Sequence, residues 1–174
     1  MAHEAATHLG GGIVESLRFD QSSGRLLLQL GSRHGKRFVV VGVRPPKPTL
    51  YWVTRRGDLP SASGYDPTER FNRLRDSRLT AIELPQADRL LRLDFDKQKD
   101  DEIQQFSLWL GWMGGSGNTW LTERRENTVL EMLWKTSAQS IGQPFEVPKP
   151  PPLVDWQTMT FPEYSKEREE YSDL

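Results

Sequence analysis

Apolar and polar residues alternate in short runs along most of this chain, and turn-forming residues separate the runs, a pattern that predicts strands more than helices. Ile13-Val-Glu-Ser-Leu-Arg-Phe19 alternates, Asp20-Gln-Ser-Ser-Gly24 supplies a turn, and Arg25-Leu-Leu-Leu-Gln-Leu30 returns as its hairpin partner. A second turn at Ser32-Arg-His-Gly35 leads into a strand from Lys36 to Val43. After the break Pro45-Pro-Lys-Pro48, Thr49-Leu-Tyr-Trp-Val-Thr54 adds another, and the spacing predicts an antiparallel meander. Further strands are predicted from Leu79 to Leu84, Arg89 to Phe95, Gln105 to Leu110, Asn118 to Leu121 and Thr128 to Trp134. Gly114-Gly-Ser-Gly117 and the stretch from Glu123 to Asn127 connect them.

Two segments change period. Ala2 to Leu9 reads as a short helix stopped by Gly10, Gly11 and Gly12, because successive glycines lose too much backbone entropy to continue it. Tyr65 to Arg75 predicts a second helix, with Asp66 as N-cap, Pro67 at the first helical position and Glu69 placed to bond back to the cap. The predicted class is therefore α+β: a β-rich two-layer sandwich with two short helices, in which two packed sheets bury the alternating faces. Residues 1–147 form this domain. Residues 148–174 read as a Pro-rich linker, stiff and polyproline-like, followed by an acidic, helix-prone tail.

Composition sharpens the picture in three ways. The chain has 174 residues, enough for one domain plus a tail, with 36% hydrophobic and 27% charged residues and six Trp whose large rings add buried area. Cysteine is absent, so packing and hydrogen bonds alone hold the fold, which is compatible with the expected cytoplasmic location. The N-terminus lacks a basic segment followed by an apolar one, and no run approaches the ~20 apolar residues of a membrane span.

The formal net charge of −1 conceals segregation: Arg55, Arg56, Arg70, Arg73, Arg75, Arg78, Arg89 and Arg92 cluster in the middle, while Glu163, Glu167, Glu169, Glu170 and Asp173 make the end acidic. A local arginine field can meet phosphate even on a neutral chain. The interspersed acids Asp58, Asp66, Glu69, Asp76, Glu83 and Asp88 fit an ordinary solvated surface equally well.

Catalytic patterns are lacking. His3, His8 and His34 are the only histidines, and the five-residue spacing of the first two does not stack them on one helical face as a zinc helix requires. Neither glycine run matches a phosphate-binding loop or a dinucleotide fingerprint, and no serine lies in a nucleophile-elbow context. Asp94, Asp96, Asp100, Asp101 and Glu102 crowd one strand end, where they read as a solvated hairpin rather than an acid–base pair. No cofactor or metal is predicted, and the chain is expected to be non-enzymatic. Tyr51 and Trp52 precede the basic Arg55 and Arg56, and Trp109 and Trp112 lie around Gly111; such rings can stack on bases, though core packing is their ordinary role. Trp109 faces opposite to Leu108 and Leu110, so one face of that strand must be unusually aromatic or partly exposed.

The run from Arg78 to Phe95 places Asp88 beside Arg89 in a polar hinge between two apolar segments. Phe71-Asn-Arg-Leu74-Arg75 precedes it, and Asn118-Thr-Trp-Leu121-Thr122, Thr128-Val-Leu130 and Phe145-Glu-Val-Pro148-Lys-Pro-Pro-Pro152 follow. This order resembles the N-terminal domain of the NFACT family of ribosome quality-control factors, whose bacterial members have been labelled fibronectin- or fibrinogen-binding proteins. The resemblance runs from about Ala2 to about Pro152. It implies a fold related to the N-terminal domain of formamidopyrimidine-DNA glycosylases, without their N-terminal catalytic proline and glutamate. It also implies that Asp88 and Arg89 engage tRNA on the large ribosomal subunit. Arginine can grip phosphate through two parallel bonds while its acidic neighbour orients it; the same pair could instead be a salt bridge that pins the hinge.

The chain departs from the family pattern in a shorter first helix, in Leu50 where the family carries Arg, and in a shorter segment between Arg75 and Arg78. The expectation is an RNA-docking module with Asp88 and Arg89 as principal contacts and Arg75, Arg55 and Arg56 as weaker phosphate contacts. The alternative is a protein-interaction module of the fibronectin- or fibrinogen-binding kind. A glycosylase-like DNA-binding domain is more remote.

Overall fold

The computed structural model describes residues 2–20, 22–43, 49–59, 65–86, 90–113 and 116–147. Helix α1 (Ala2–Leu9) ends where the Gly10 N–H bonds back to the Ala6 carbonyl at 2.9 Å and Gly11 takes a φ of 77°, which a glycine adopts without the Cβ penalty of other residues. The strands are β1 (Ile13–Asp20), β2 (Arg25–Ser32), β3 (Gly35–Gly42), β4 (Thr49–Val53), β5 (Asp66–Pro67), β6 (Arg78–Gln86), β7 (Leu90–Lys99), β8 (Glu102–Met113), β9 (Ser116–Glu123) and β10 (Thr128–Met132). All pairings among them are antiparallel, in the order β10-β9-β8-β7-β6-β1-β2-β3-β4, with β5 against β1. The predicted strands are all present, several extended by a few residues, while those predicted to reach Val43, Thr54 and Trp134 stop at Gly42, Val53 and Met132, and β5 is additional.

The seam between β1 and β6 is narrow, with Ile13 opposite Arg78 and the neighbouring bonds Leu79 N–H to Gly12 O at 2.8 Å and Val14 N–H to Ser77 O at 2.9 Å. Two meanders therefore meet there, β1–β4 and β6–β10, and their inner faces share one core. Leu17 and Phe19, Leu26 and Leu28, and Val39 and Val41 from the first pack with Leu91, Leu93, Phe95, Leu108 and Leu110 from the second. These are every-second-residue positions, as a pleated strand requires. The molecule is thus a β-sandwich.

Each outer face carries a smaller cluster. Leu27, Phe38 and Val40 lie under Leu59 and Tyr65, while Leu90, Trp109, Trp120 and Val129 lie under Phe145. Burial on both faces explains why Leu26-Leu-Leu28 and Phe38-Val-Val-Val41 read as continuous apolar runs rather than alternations.

The helix predicted from Tyr65 to Arg75 does not form. Asp66 and Pro67 pair instead with Phe19 and Arg18 along the part of β1 that β6 leaves uncovered, Phe71 takes a left-handed φ of 57°, and only a 3-10 turn, Asn72–Leu74, follows. Tertiary bonds override the capping signal. The Phe71 N–H bonds to the Glu131 carboxylate at 2.8 Å, the Arg70 guanidinium bonds to the Leu133 carbonyl at 2.7 Å, and the Phe71 and Leu74 side chains are buried in the shared core. The Pro45–Pro48 break, the Asp88-Arg89 hinge and the linker and tail of residues 148–174 lie outside the described residues.

Candidate interaction site

The two ends of the strand order differ. Beyond β10, the chain's own return bonds to the strand: Val129 N–H to Gln143 O at 2.9 Å, Gly142 N–H to Val129 O at 2.8 Å and Phe145 N–H to Asn127 O at 2.7 Å. Beyond β4 there is no such cover among the described residues. Its five residues pair with β3 in continuous register, from Gly42 opposite Thr49 to Phe38 opposite Val53. Leu50 and Trp52 pack on the shared core, and Tyr51 and Val53 on the outer cluster. No described backbone group bonds to the far side of residues 50–53.

Arg55 continues the strand direction with φ −120° and ψ 138°, and Arg56–Asp58 then form a 3-10 turn. The turn is closed by Asp58 N–H to Arg55 O at 3.1 Å and Leu59 N–H to Arg56 O at 3.2 Å, and buried Leu59 anchors it on the outer cluster. Arg55, Arg56 and Asp58 are exposed, and none is ion-paired with another described residue. Nearby, the Tyr51 hydroxyl is buried without a hydrogen-bond partner among the described residues, the buried Tyr65 hydroxyl lies beside Arg25, and burial pushes both phenols above their ordinary range.

Arg75 lies elsewhere. It borders a surface cavity of about 180 Å³ lined also by Ser16, Arg18, Pro67, Glu69 and Asn72, beside β1, with β2 and β3 between it and β4. Arg18 there donates to the Tyr65 carbonyl at 3.3 Å and Asn72 to Glu69 at 3.0 Å. A polyanion entering this cavity would meet the Glu69 carboxylate as well as Arg75. The structure therefore separates Arg75 from Arg55 and Arg56, and Asp88 and Arg89 fall outside the described residues.

A third grouping was not singled out from the sequence. Asp94, 4% exposed, accepts a bond from Ser107 Oγ at 2.6 Å and lies 3.2 Å from Arg92 Nε and 3.7 Å from Arg124 Nη1. Arg92 reaches Glu83 at 2.7 Å and lies over the Trp109 ring, Arg124 reaches Asp96 at 2.8 Å, and Trp109 Nε1 donates to Thr122. Asp94 is thus not part of a solvated acidic strand end. It occupies the middle of β7, on the face opposite to Leu93 and Phe95, with Ser107 as its cross-strand partner and Thr122 next in the row. The predicted strands, one ending at Phe95 and the next beginning at Gln105, left the β7–β8 register open, so the pairing of Asp94 with Ser107 was not legible, and Arg124, in a turn, gave no signal. The carboxylates and guanidiniums bond one another, and the Ser107 hydroxyl donates to a carboxylate with no histidine beside it. The arrangement is suited to holding three strands together.

The aromatic face of β8 predicted from the sequence is present: Trp109 pairs with Trp120 across the strands, and Phe145 covers both. Trp109 is therefore a core residue rather than a stacking platform. Among the described residues no three His, Asp or Glu side chains are grouped to hold a metal ion.

No family model and no curated protein sequence matches the chain. Solved structures do. The chain is similar to the N-terminal domain of the fibronectin-binding protein PavA from Streptococcus pneumoniae, with a TM-score of 0.70 and 17% identity over 86% of this chain and 59% of that one. It is equally similar to the N-terminal part of the fibronectin/fibrinogen-binding protein FBPS from Streptococcus suis, with a TM-score of 0.71 and 16% identity over 87% of this chain and 59% of that one. The fibrinogen-binding protein from Staphylococcus aureus gives 0.68 and 15% over 86% and 54%. At these identities the likeness is one of fold, and the chain spans little more than half of each of these three structures. The label these proteins bear is the one that the sequence resemblance brought with it.

Proposed function

We propose that this chain is a non-catalytic interaction module whose partner is a protein. The observation that carries the reading is its fold, shared with the N-terminal domains of proteins named for binding fibronectin and fibrinogen. The site geometry favours it too: the clustered ionisable groups of the second meander are occupied with one another, while Arg55 and Arg56 are exposed and ion-paired with no other described residue. The test is binding of the full chain to purified fibronectin and fibrinogen across a salt series. Saturable binding that changes little with salt is the expected result, because a packed protein interface depends on salt far less than phosphate contacts do.

A second reading, engagement of tRNA on the large ribosomal subunit, draws on the exposure of Arg55, Arg56 and Arg75 and on the family role implied for Asp88 and Arg89. Each phosphate contact would add roughly 0.7–0.9 to the slope of log affinity against log salt. On this reading Arg89→Ala weakens tRNA binding at an unchanged melting temperature. Steeply salt-dependent tRNA binding, combined with no affinity for either protein, would reverse the order of the two readings.

A further inference from the structure

The cavity beside β1 has walls that are set before anything binds. Ser16 and Arg18, two apart on β1 and so on one face of it, line it from one side, and Thr68, Glu69, Asn72 and Arg75 line it from the segment that follows β5. That segment is fixed around the cavity: Asp66 and Pro67 pair with β1, the Phe71 N–H bonds to Glu131, Leu74 is buried, and the Asp76 N–H returns to the Val14 carbonyl at 2.9 Å. Phe71 and Asp76 both take a left-handed φ, 57° and 65°, and Asn72 and Arg75 lie between them. Strain at a bulky residue such as Phe71 persists where its surroundings enforce it, and it collects at ligand clamps. A site held in this way loses little freedom when it is filled.

Size and charge then select the occupant. At about 180 Å³ the cavity is smaller than the roughly 300–1,000 Å³ of small-molecule pockets, and it suits one side chain. Arg18 and Arg75 bring two positive charges to it and Glu69 one negative charge, a formal sum of +1. Arg18 uses one N–H on the Tyr65 carbonyl at 3.3 Å and keeps its other donors, and Arg75 is exposed and ion-paired with no other described residue. The Glu69 carboxylate, which accepts from Asn72 at 3.0 Å, repels a second negative charge. A carboxylate matches this sum, whereas a phosphate monoester, at about −1.5 to −2 near pH 7, exceeds it, and a cation meets two guanidiniums. Resting on the protein-binding reading above, we infer that the cavity receives one acidic side chain of a protein partner, its carboxylate gripped by Arg75 and Arg18 while Glu69 excludes phosphate. A pair enclosed in this way is screened less than surface charges and adds little to the salt dependence of binding.

Three capped single residues, the N-acetyl N-methylamides of glutamate, phosphoserine and lysine, test this when titrated at fixed ionic strength into the full chain. The backbone amide resonances of Ser16, Arg18, Glu69 and Asn72 are the reporters. Expected are saturable shifts with the glutamate probe, affinity lower by about tenfold or more for the phosphoserine probe, and no saturable shift with the lysine probe. Glu69→Gln keeps an oxygen for Asn72 and raises the formal sum by one, so it should erase the preference for glutamate over phosphoserine. Arg75→Ala, at an exposed position, should weaken the glutamate probe about tenfold at an unchanged melting temperature, and should weaken binding of fibronectin or fibrinogen as well. If either variant fails to fold, the ranking of the three probes on the unaltered chain decides alone.

No saturable shift with the glutamate probe, equal affinity for the phosphoserine probe, or a preference that survives Glu69→Gln overturns the inference. Fibronectin or fibrinogen binding that Arg75→Ala leaves intact sinks the inference while the protein-binding reading stands. Binding of tRNA that Arg75→Ala weakens, with neither protein bound, removes both.

Discussion

Glu131 holds a backbone conformation that Phe71 would not choose by itself. A left-handed φ at a bulky residue is costly, and here the Phe71 N–H is fixed by the Glu131 carboxylate at 2.8 Å while the ring is buried in the shared core. Glu131→Ala leaves that N–H without its acceptor and is expected to cost about 1–3 kcal/mol, whereas Glu131→Gln keeps an amide oxygen in place and should be close to neutral at pH 7. Burial raises the Glu131 pKa, while the Phe71 N–H, Arg73 and Arg70 pull it down without cancelling the rise. Between the ordinary carboxylate value of ~4.3 and that raised value the folded state binds more protons than the unfolded one. The Glu131 contribution to stability therefore falls as pH rises through the window, and the Gln variant should lack this slope in urea titrations across pH. Asp94 makes a second case. Asp94→Ala leaves the buried Ser107 hydroxyl without its acceptor and takes one partner each from Arg92 and Arg124, which keep Glu83 and Asp96, and a loss of about 1–3 kcal/mol is expected in the same titrations. Neither partnership was legible in the sequence, because Glu131 lies 60 positions from Phe71 and Arg124 comes to Asp94 from the far side of β8.

The strands were legible for the reason the helix was misread. Where one face of a strand meets the shared core, burial writes a period of two into the sequence, as at Leu26, Leu28 and Leu30 or Leu91, Leu93 and Phe95. Asp66-Pro67 is only two residues long and has no period, and its capping residues were equally compatible with a helix start, so the pairing with β1 left no local trace. The return after β10 is similar: irregular in sequence, it nevertheless places Phe145 with ring centroids 4.8 Å from Trp109 and 5.4 Å from Trp120. Phe145→Ala should cost about 3–5 kcal/mol, the range for removing a buried aromatic side chain. It should also shift tryptophan emission to the red as Trp109 and Trp120 gain water. A small loss with unchanged emission would mean that this segment does not cover the outer face in solution. The candidate site divides in the same way. Arg55 and Arg56 could be placed after a strand from the sequence, but that the strand is an edge, and that the opposite edge is covered, follows from an order of pairing that no local pattern encodes.

The narrow seam between β1 and β6 raises the question of whether the two meanders are separate cooperative units. Backbone pairing argues for separation, since Ile13 and Arg78 form the one strand-to-strand pair there. Packing argues against it, because Leu26 and Leu28 of the first meander share a single cluster with Leu93 and Leu108 of the second, so neither inner face stays dry alone. Apolar burial contributes roughly 1.5–3 kcal/mol per large aliphatic side chain, far more in total than the few hydrogen bonds at the seam, and the packing term should decide. Leu28→Ala, 1% exposed in β2, is expected to lose about 2–5 kcal/mol. Trp109 and Trp120 lie on the outer face of the other meander, and in a Trp52→Phe background, which removes the tryptophan of β4, emission reports its unfolding. In a single cooperative unit the urea midpoint of tryptophan emission moves with that of far-UV circular dichroism, and both move by the same amount in Leu28→Ala. Should the emission midpoint stay where it is in the unaltered chain while the dichroism transition shifts or splits, the sandwich is two independently folding halves.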